Sequence, residues 1–181
     1  EARITLEPGD GLYLLTFSFL GLGFMAFEMP LIEKAVFVAG HPVRSLAVCL
    51  AGLLLATGLG SALAGRTIMG PDGPRWPRLR AVFVALVVLQ LLLWVGLQPA
   101  LELLSRAPSW LLLPTLLVGI LPAGLALGVP FPMATALLQA RGRGALIPWA
   151  WAANGALSVL AVHISLTATR VVGISPMFAV A

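Results

Sequence analysis

Four polar residues stand out in this chain because long apolar segments surround or border them. Glu28 comes directly after a long uncharged run, Asn154 and His163 lie inside another such run, and His41 stands in a Gly-His-Pro turn. A carboxyl or imidazole group at membrane depth needs a partner or a water-filled cavity, where it can bind a cation or exchange a proton. An amide can form a hydrogen bond to a neighbouring helix. The four residues are therefore the candidate polar site.

Each candidate also has a purely structural interpretation. Glu28 could lie at a membrane interface in an ion pair with Lys34, and His163 could be a hydrogen-bonded packing residue. Asn154 precedes Ser158 by four residues, which places both on one helix face that could contact another helix. Either His41 or His163 could neutralise the charge of Glu28 or share its proton. The sequence leaves these alternatives open.

The sequence has no recognisable catalytic, metal or cofactor motif. Two histidines, one cysteine and scattered carboxylates do not have the spacing of a zinc site. No Gly-x-Ser-x-Gly or Gly-x-x-x-x-Gly-Lys motif occurs, and the Gly-x-Gly pairs at 21/23 and 58/60 follow no predicted strand. We expect no catalytic centre, cofactor or metal in this chain, and whether it belongs to an enzyme stays open.

The composition excludes several classes of protein. Of 181 residues, 60% are hydrophobic and 10% are charged, and the mean hydropathy is +1.02. A soluble domain could not bury that much apolar surface, and a disordered chain would be poor in apolar residues. A single cysteine excludes a disulfide scaffold. Because the basic residues are dispersed, the pI of 10.6 does not indicate nucleic-acid binding. The composition predicts an integral membrane protein whose partner is the lipid bilayer.

Charge-poor runs predict an all-α, polytopic helical bundle, because a helix needs about 20 apolar residues to cross a bilayer. We expect five complete membrane helices and the start of a sixth at residues 174–181, in one transmembrane domain (1–181) that is a fragment of a longer polypeptide. The fourth run is too long for one helix, and its Gly-Val-Pro-Phe-Pro stretch should break it, since two prolines flanking a phenylalanine oppose any helix. The five runs are residues 11–27 (extending towards 38), 45–65, 81–101, 107–140 and 144–169.

The distribution of basic residues predicts the orientation. With alternating spans, seven Lys and Arg residues lie on the side of the N-terminus and four on the other. Basic residues accumulate on the cytoplasmic side, so we expect a multi-pass protein of the inner (plasma) membrane with a cytoplasmic N-terminus.

Small residues recur at helical spacing in the second and fourth runs. In membranes such positions allow helix backbones to approach closely. They predict two helix-packing surfaces, formed by Gly52, Ala56, Gly60 and Ala64 and by Gly124 and Gly128.

Three stretches together resemble a known family. They are residues 21–33 (GLGFMAFEMPLIE) with the Gly-His-Pro turn and the small-residue helix, residues 128–132 (GVPFP), and residues 148–160 (PWAWAANGALSVL). In this order they resemble the C-terminal transmembrane part of bacterial spermidine synthase-like membrane proteins. That family joins membrane helices to a cytoplasmic Rossmann-type domain similar to aminopropyltransferases. This chain contains no such domain, and Ala152 stands where the family pattern has glycine.

The resemblance and the residues give three hypotheses. The first is a non-catalytic membrane domain that anchors or serves a cytoplasmic, aminopropyltransferase-like domain, supplied by the same polypeptide or by another chain. The second is a transporter or ion-pathway domain in which Glu28, Asn154 and the broken fourth helix line a cavity. The third is a structural subunit of a larger membrane complex.

Overall fold

The computed structural model describes residues 8–39, 42–70, 73–104 and 109–172. In these ranges the chain forms six α-helices, a 3-10 turn at Gly144–Leu146 and a two-stranded hairpin. The helices are α1 (Asp10–Ala39), α2 (Pro42–Thr67), α3 (Trp76–Leu104), α4 (Ser109–Leu127), α5 (Pro130–Ala140) and α6 (Ile147–Val172), and the strands are β1 (Met69–Gly70) and β2 (Gly73–Pro74). The predicted sixth helix and His41 lie outside the described residues.

Prolines mark where several of these helices begin. Pro42, Pro77, Pro130 and Pro148 each lie in the first turn of a helix. The first-turn N–H groups have no intrahelical acceptor, so a proline there loses no hydrogen bond and its fixed φ suits the helix. This explains a difference from the sequence analysis: the Pro-Phe-Pro stretch, expected to oppose any helix, is itself the first turn of α5.

Two pairs of parallel helices form the bundle. Along the first pair, α1 and α6, Asp10 is bonded to Arg143 near the start of both helices, and Thr169 donates a hydrogen bond to Glu33 at 3.3 Å near their far ends. In the second pair, α2 and α4, Gly52 lies against Leu117 and residue 60 against residue 125. A buried apolar cluster contributed by α1, α2 and α4 joins the two pairs: Phe27, Leu31, Ile32, Ala35, Cys49, Leu53, Ile120 and Ala123.

One end of the bundle collects the basic residues, and we call it the arginine-rich end. Here Tyr13 of α1 accepts a hydrogen bond from Arg141, after α5, and Ala64 of α2 packs in a cluster with Met133 of α5 and Leu79 of α3. The side chains of Arg75 and Arg78 donate hydrogen bonds to the Thr67 carbonyl, the last of α2. They supply a partner for a carbonyl that has none within the helix. This end carries Arg66, Arg75, Arg78, Arg80, Arg141 and Arg143.

Four candidate membrane spans are long and apolar enough to cross a bilayer: Asp10–Val36, Pro42–Thr67, Leu117–Ala140 and Gly144–Val171. Their outward faces expose large apolar side chains, such as Leu55, Val118 and Ile164, as a surface in contact with lipid requires. The prediction of a helical membrane protein is confirmed at this level.

Candidate functional site

The described bundle contains a chamber of about 940 Å³ between its helices. Residues of α1, α2, α3 and α6 line the chamber, together with residues at the junction of α4 and α5. Helix α3 packs chiefly against α4, while its Phe83 and Val87 line the chamber. Val87 is still 60% exposed, so the chamber is open on this side rather than sealed.

Missing side chains and a chain turn create this space. Gly23 of α1 and Gly58 of α2 line the chamber, and a Cβ atom added at either would meet no atom within 4 Å. At the end of α4 the chain turns at residues 128–129 and re-enters a helix at Pro130, so that Phe131 also lines the chamber. The two glycines and the turn after α4 therefore leave the space that forms the chamber.

The chamber wall is apolar apart from four uncharged polar residues. They are Thr57 and Ser61 on α2 and Asn154 and Ser158 on α6, and none of the residues described in the wall carries a charge. Thr57 donates its hydroxyl to the Leu54 carbonyl at 3.1 Å, within its own helix. The wall thus offers a few hydrogen-bonding groups in an otherwise hydrocarbon-like surface.

Asn154 also fixes the seam between α1 and α6. Its Nδ2 donates to the Phe17 carbonyl at 3.0 Å. At Gly21, one turn further along α1, an added Cβ would come within 2.7 Å of Ser158 Oγ and 2.8 Å of Asn154 Nδ2. Only glycine allows this approach of the two backbones, as in other tightly packed membrane helices.

Glu28 lies inside the bundle, away from the chamber wall. Glu28 is only 4% exposed, and the preceding residue, Phe27, packs in the buried cluster that contains Cys49 of α2. An ion pair with Lys34 at a membrane interface was one expectation for Glu28, and the structure buries both residues. Glu28 and Asn154 were expected to line one cavity, but Asn154 lines the chamber and Glu28 does not.

His163 does not join Glu28 in the described structure. His163 is exposed on α6, and its Nδ1 lies 2.9 Å from the Val159 carbonyl of its own helix. Residue 163 is two positions from both Ala161 and Ser165, which are buried, so it points to the opposite side of α6. His41 lies outside the described residues.

The predicted small-residue surfaces face each other across α2 and α4. A Cβ atom at Gly60 would overlap the Leu125 carbonyl, and one at Gly128 would overlap the Thr57 carbonyl. Gly124 lies against Ala56, 2.5 Å from where its own Cβ would stand. The two remaining members of the α2 surface are buried as well: Gly52 and Ala64.

Sequence reasoning missed several polar residues that the structure buries. Asp10, at the start of α1, forms an ion pair with Arg143, and the lone aspartate of the first helical turn was the available signal. Ser45 on α2 and Ser165 on α6 are buried with hydroxyl groups that have no hydrogen-bond partner. A serine in an apolar run gives no sequence signal, since its hydroxyl usually bonds its own helix.

The described residues contain no group of three or more His, Cys, Asp or Glu side chains that could hold a metal ion. Comparison with known proteins gives no assignment either: no family model, no curated protein and no solved structure matches the chain.

Proposed function

We propose that this chain is a membrane domain that holds the hydrocarbon part of a lipid-like ligand in the chamber between α3 and the other helices. The observation that carries this proposal is a chamber of about 940 Å³ with an apolar, uncharged wall. Ligand pockets commonly have volumes of about 300–1,000 Å³, with apolar walls and few polar groups.

The wall determines the chemistry of the occupant. A charged group there would lose its hydration without gaining a counter-charge, which costs on the order of several kcal/mol. An acyl or isoprenoid chain would contact Phe24, Val87 and Phe131 with no such cost. The polar side chains of Asn154 and Ser158 could bind a hydroxyl or ester group of the same ligand. The proposed ligand is therefore neutral within the chamber and amphipathic overall.

Substitutions that fill the chamber test this proposal. Gly58 and Gly23 suit this test, because both line the chamber and a Cβ atom added at either meets no atom within 4 Å. The matched control is Gly119→Leu, because Gly119 lies outside the chamber wall and its Cβ would also meet nothing within 4 Å. The probe is a phosphatidylcholine with a photoactivatable diazirine in its acyl chain, present in the nanodiscs that hold the protein.

The expected result is crosslinking to chamber residues such as Phe24 and Val87 in the unmodified protein and in Gly119→Leu. Yields at these residues should fall several-fold in Gly58→Leu and Gly23→Leu, while Val118 on the outer surface keeps its yield. Equal yields at the chamber residues in all four proteins would exclude a ligand in this chamber.

We further propose five membrane spans, with α3 as the third. Helices α2 and α4 run in the same direction, so the chain must return between them, and only the α3 segment connects them. Its 29 residues would reach about 43 Å, more than the ~30 Å core. Helices α4 and α5 would then form one span, interrupted by the turn at residues 128–129.

The proposed orientation places the arginine-rich end in the cytoplasm. Six arginines lie at that end, whereas the described basic residues at the other end are Lys34, Arg44 and Arg170. Helix α1 begins at the arginine-rich end. This is the side on which the resemblance to spermidine synthase-like proteins would place a Rossmann-type domain, so anchoring such a domain remains our second proposal. Aminopropyl transfer by a longer polypeptide that includes these residues would support it, and a longer polypeptide without a Rossmann-type domain would contradict it.

A further inference from the structure

A second polar site follows from the register of the α1–α6 seam. Asn154 donates to the Phe17 carbonyl, Gly21 lies against Ser158, and Thr169 donates to Glu33. Each of these pairs is separated by 136 or 137 positions in the sequence, so the register is constant along most of the seam.

This register places Glu28 opposite Ser165. Glu28 follows Gly21 by seven residues, and Ser165 follows Ser158 by seven, so each occupies the same helix face as the residue before it. Ala161, one turn before Ser165 on α6, is also buried in the bundle. By this register Glu28 and Ser165 occupy opposed positions on the two helices, and both residues are buried.

The hydroxyl of Ser165, like that of Ser45 on α2, is buried without a hydrogen-bond partner. Its side chain is 1% exposed and its Oγ has no hydrogen-bond partner. By contrast, Thr135 donates to Phe131 at 3.0 Å and Thr167 donates to His163 at 2.8 Å, both within their own helices. An unpartnered buried hydroxyl is costly, so this oxygen is available to a ligand in the seam.

The charged and titratable groups around Glu28 do not provide a described counter-charge at this position. On α1 itself, Glu33 bonds Thr169, and Lys34 is a buried residue with interactions of its own. On α2 the titratable group in the buried cluster beside Glu28 is the thiol of Cys49, and α4 contains no charged residue. On α6, His163 and Arg170 are exposed.

We propose that Glu28 and Ser165 form an intramembrane binding site for a small monovalent cation, either a proton or Na⁺. The carboxylate supplies one negative charge, which a single positive charge neutralises, whereas a divalent ion would leave an uncompensated charge in the apolar interior. The Ser165 hydroxyl supplies a further oxygen ligand. This site is separate from the chamber, whose wall does not include either residue.

Carbodiimide labelling tests the site in the unmodified protein. Dicyclohexylcarbodiimide enters membranes and reacts with carboxyl groups that carry a proton, and mass spectrometry identifies the modified residue. The protein is held in nanodiscs across a pH series, with sodium chloride or choline chloride. Glu33 serves as an internal reference carboxyl on the same helix. Ser165→Ala is compared with Thr167→Ala, in which the lost hydroxyl is one that bonds its own helix.

We expect modification of Glu28 that increases as the pH falls. Protection by sodium but not choline identifies Na⁺ as the ion, and an equal pH response in both salts identifies a proton. Ser165→Ala should raise the sodium concentration that protects Glu28, or the proton concentration at half-modification, by about two- to tenfold, the factor that one hydrogen bond contributes. For a proton, the half-modification point therefore moves to lower pH. Failure of Glu28 to react at any pH, or equal behaviour of Ser165→Ala and Thr167→Ala, would overturn the proposal.

Discussion

At the scale of single residues, the sequence identifies which side chains are exceptional but not which atoms they meet. Asn154 is predictable as an amide that bonds another helix, because an unpaired amide in hydrocarbon is costly. Its acceptor, the Phe17 carbonyl, depends on how α1 and α6 are aligned, and nothing local to either residue encodes that alignment. For the same reason Glu28 was a candidate from sequence and Ser165 was not.

Replacing Asn154 by alanine should destabilise the α1–α6 seam. The variant loses the Nδ2 hydrogen bond and leaves a small void beside Gly21, so the free energy of unfolding should fall by about 0.6–2 kcal/mol. The measurement is unfolding in mixed micelles of increasing denaturing detergent. Thr167→Ala is the control, because Thr167 is exposed on the same helix and its hydroxyl donates to the His163 carbonyl of that helix. Equal stability of Asn154→Ala and the unmodified protein would show that the amide contributes nothing to the seam.

At the scale of helices, the sequence predicts positions well where a charge-poor run has clear ends. The run at residues 45–65 ends within three residues of α2 (Pro42–Thr67) on both sides, and the run at 144–169 ends within three residues of α6 (Ile147–Val172) on both sides. The Pro-Phe-Pro stretch was harder to interpret, because a proline ends one helix or begins another depending on where the first turn falls.

The α2–α4 interface provides the sharpest test at this scale. Gly60→Leu should force the two backbones apart, because its Cβ would overlap the Leu125 carbonyl, and we expect a loss of about 1–3 kcal/mol in the free energy of unfolding. Gly65→Leu makes the same chemical change on the same helix, where a Cβ meets nothing within 4 Å. The measurement is the melting temperature of both variants in one detergent. A Gly60→Leu protein as stable as Gly65→Leu would mean that this close approach does not stabilise the bundle.

At the scale of the whole molecule, the apolar composition and the long charge-poor runs together predict helices in a membrane, because a run of about 20 apolar residues can cross the bilayer as one helix. The chamber could not be predicted in the same way. It exists because α3 packs chiefly against α4 while facing α1 and α2 across a gap, and the arrangement of non-adjacent helices is not encoded in any single apolar run.

The topology of the whole molecule can be tested by accessibility of single cysteines. In a Cys49→Ala background, Arg75→Cys reports the arginine-rich end and Arg170→Cys reports the far end of α6, since both residues are exposed. With α1 beginning in the cytoplasm, a membrane-impermeant maleimide added outside intact cells should label residue 170 and spare residue 75. Permeabilised cells, in which both positions should react, serve as the control.

Labelling of residue 75 from outside would reverse the orientation, because the excess of arginines at that end would then lie on the wrong side for the positive-inside rule. Labelling of both positions from one side would be more damaging, since it would require a chain that enters and leaves the membrane through the same face between α2 and α6. That result would contradict the five-span proposal and, with it, the placement of the chamber within the bilayer.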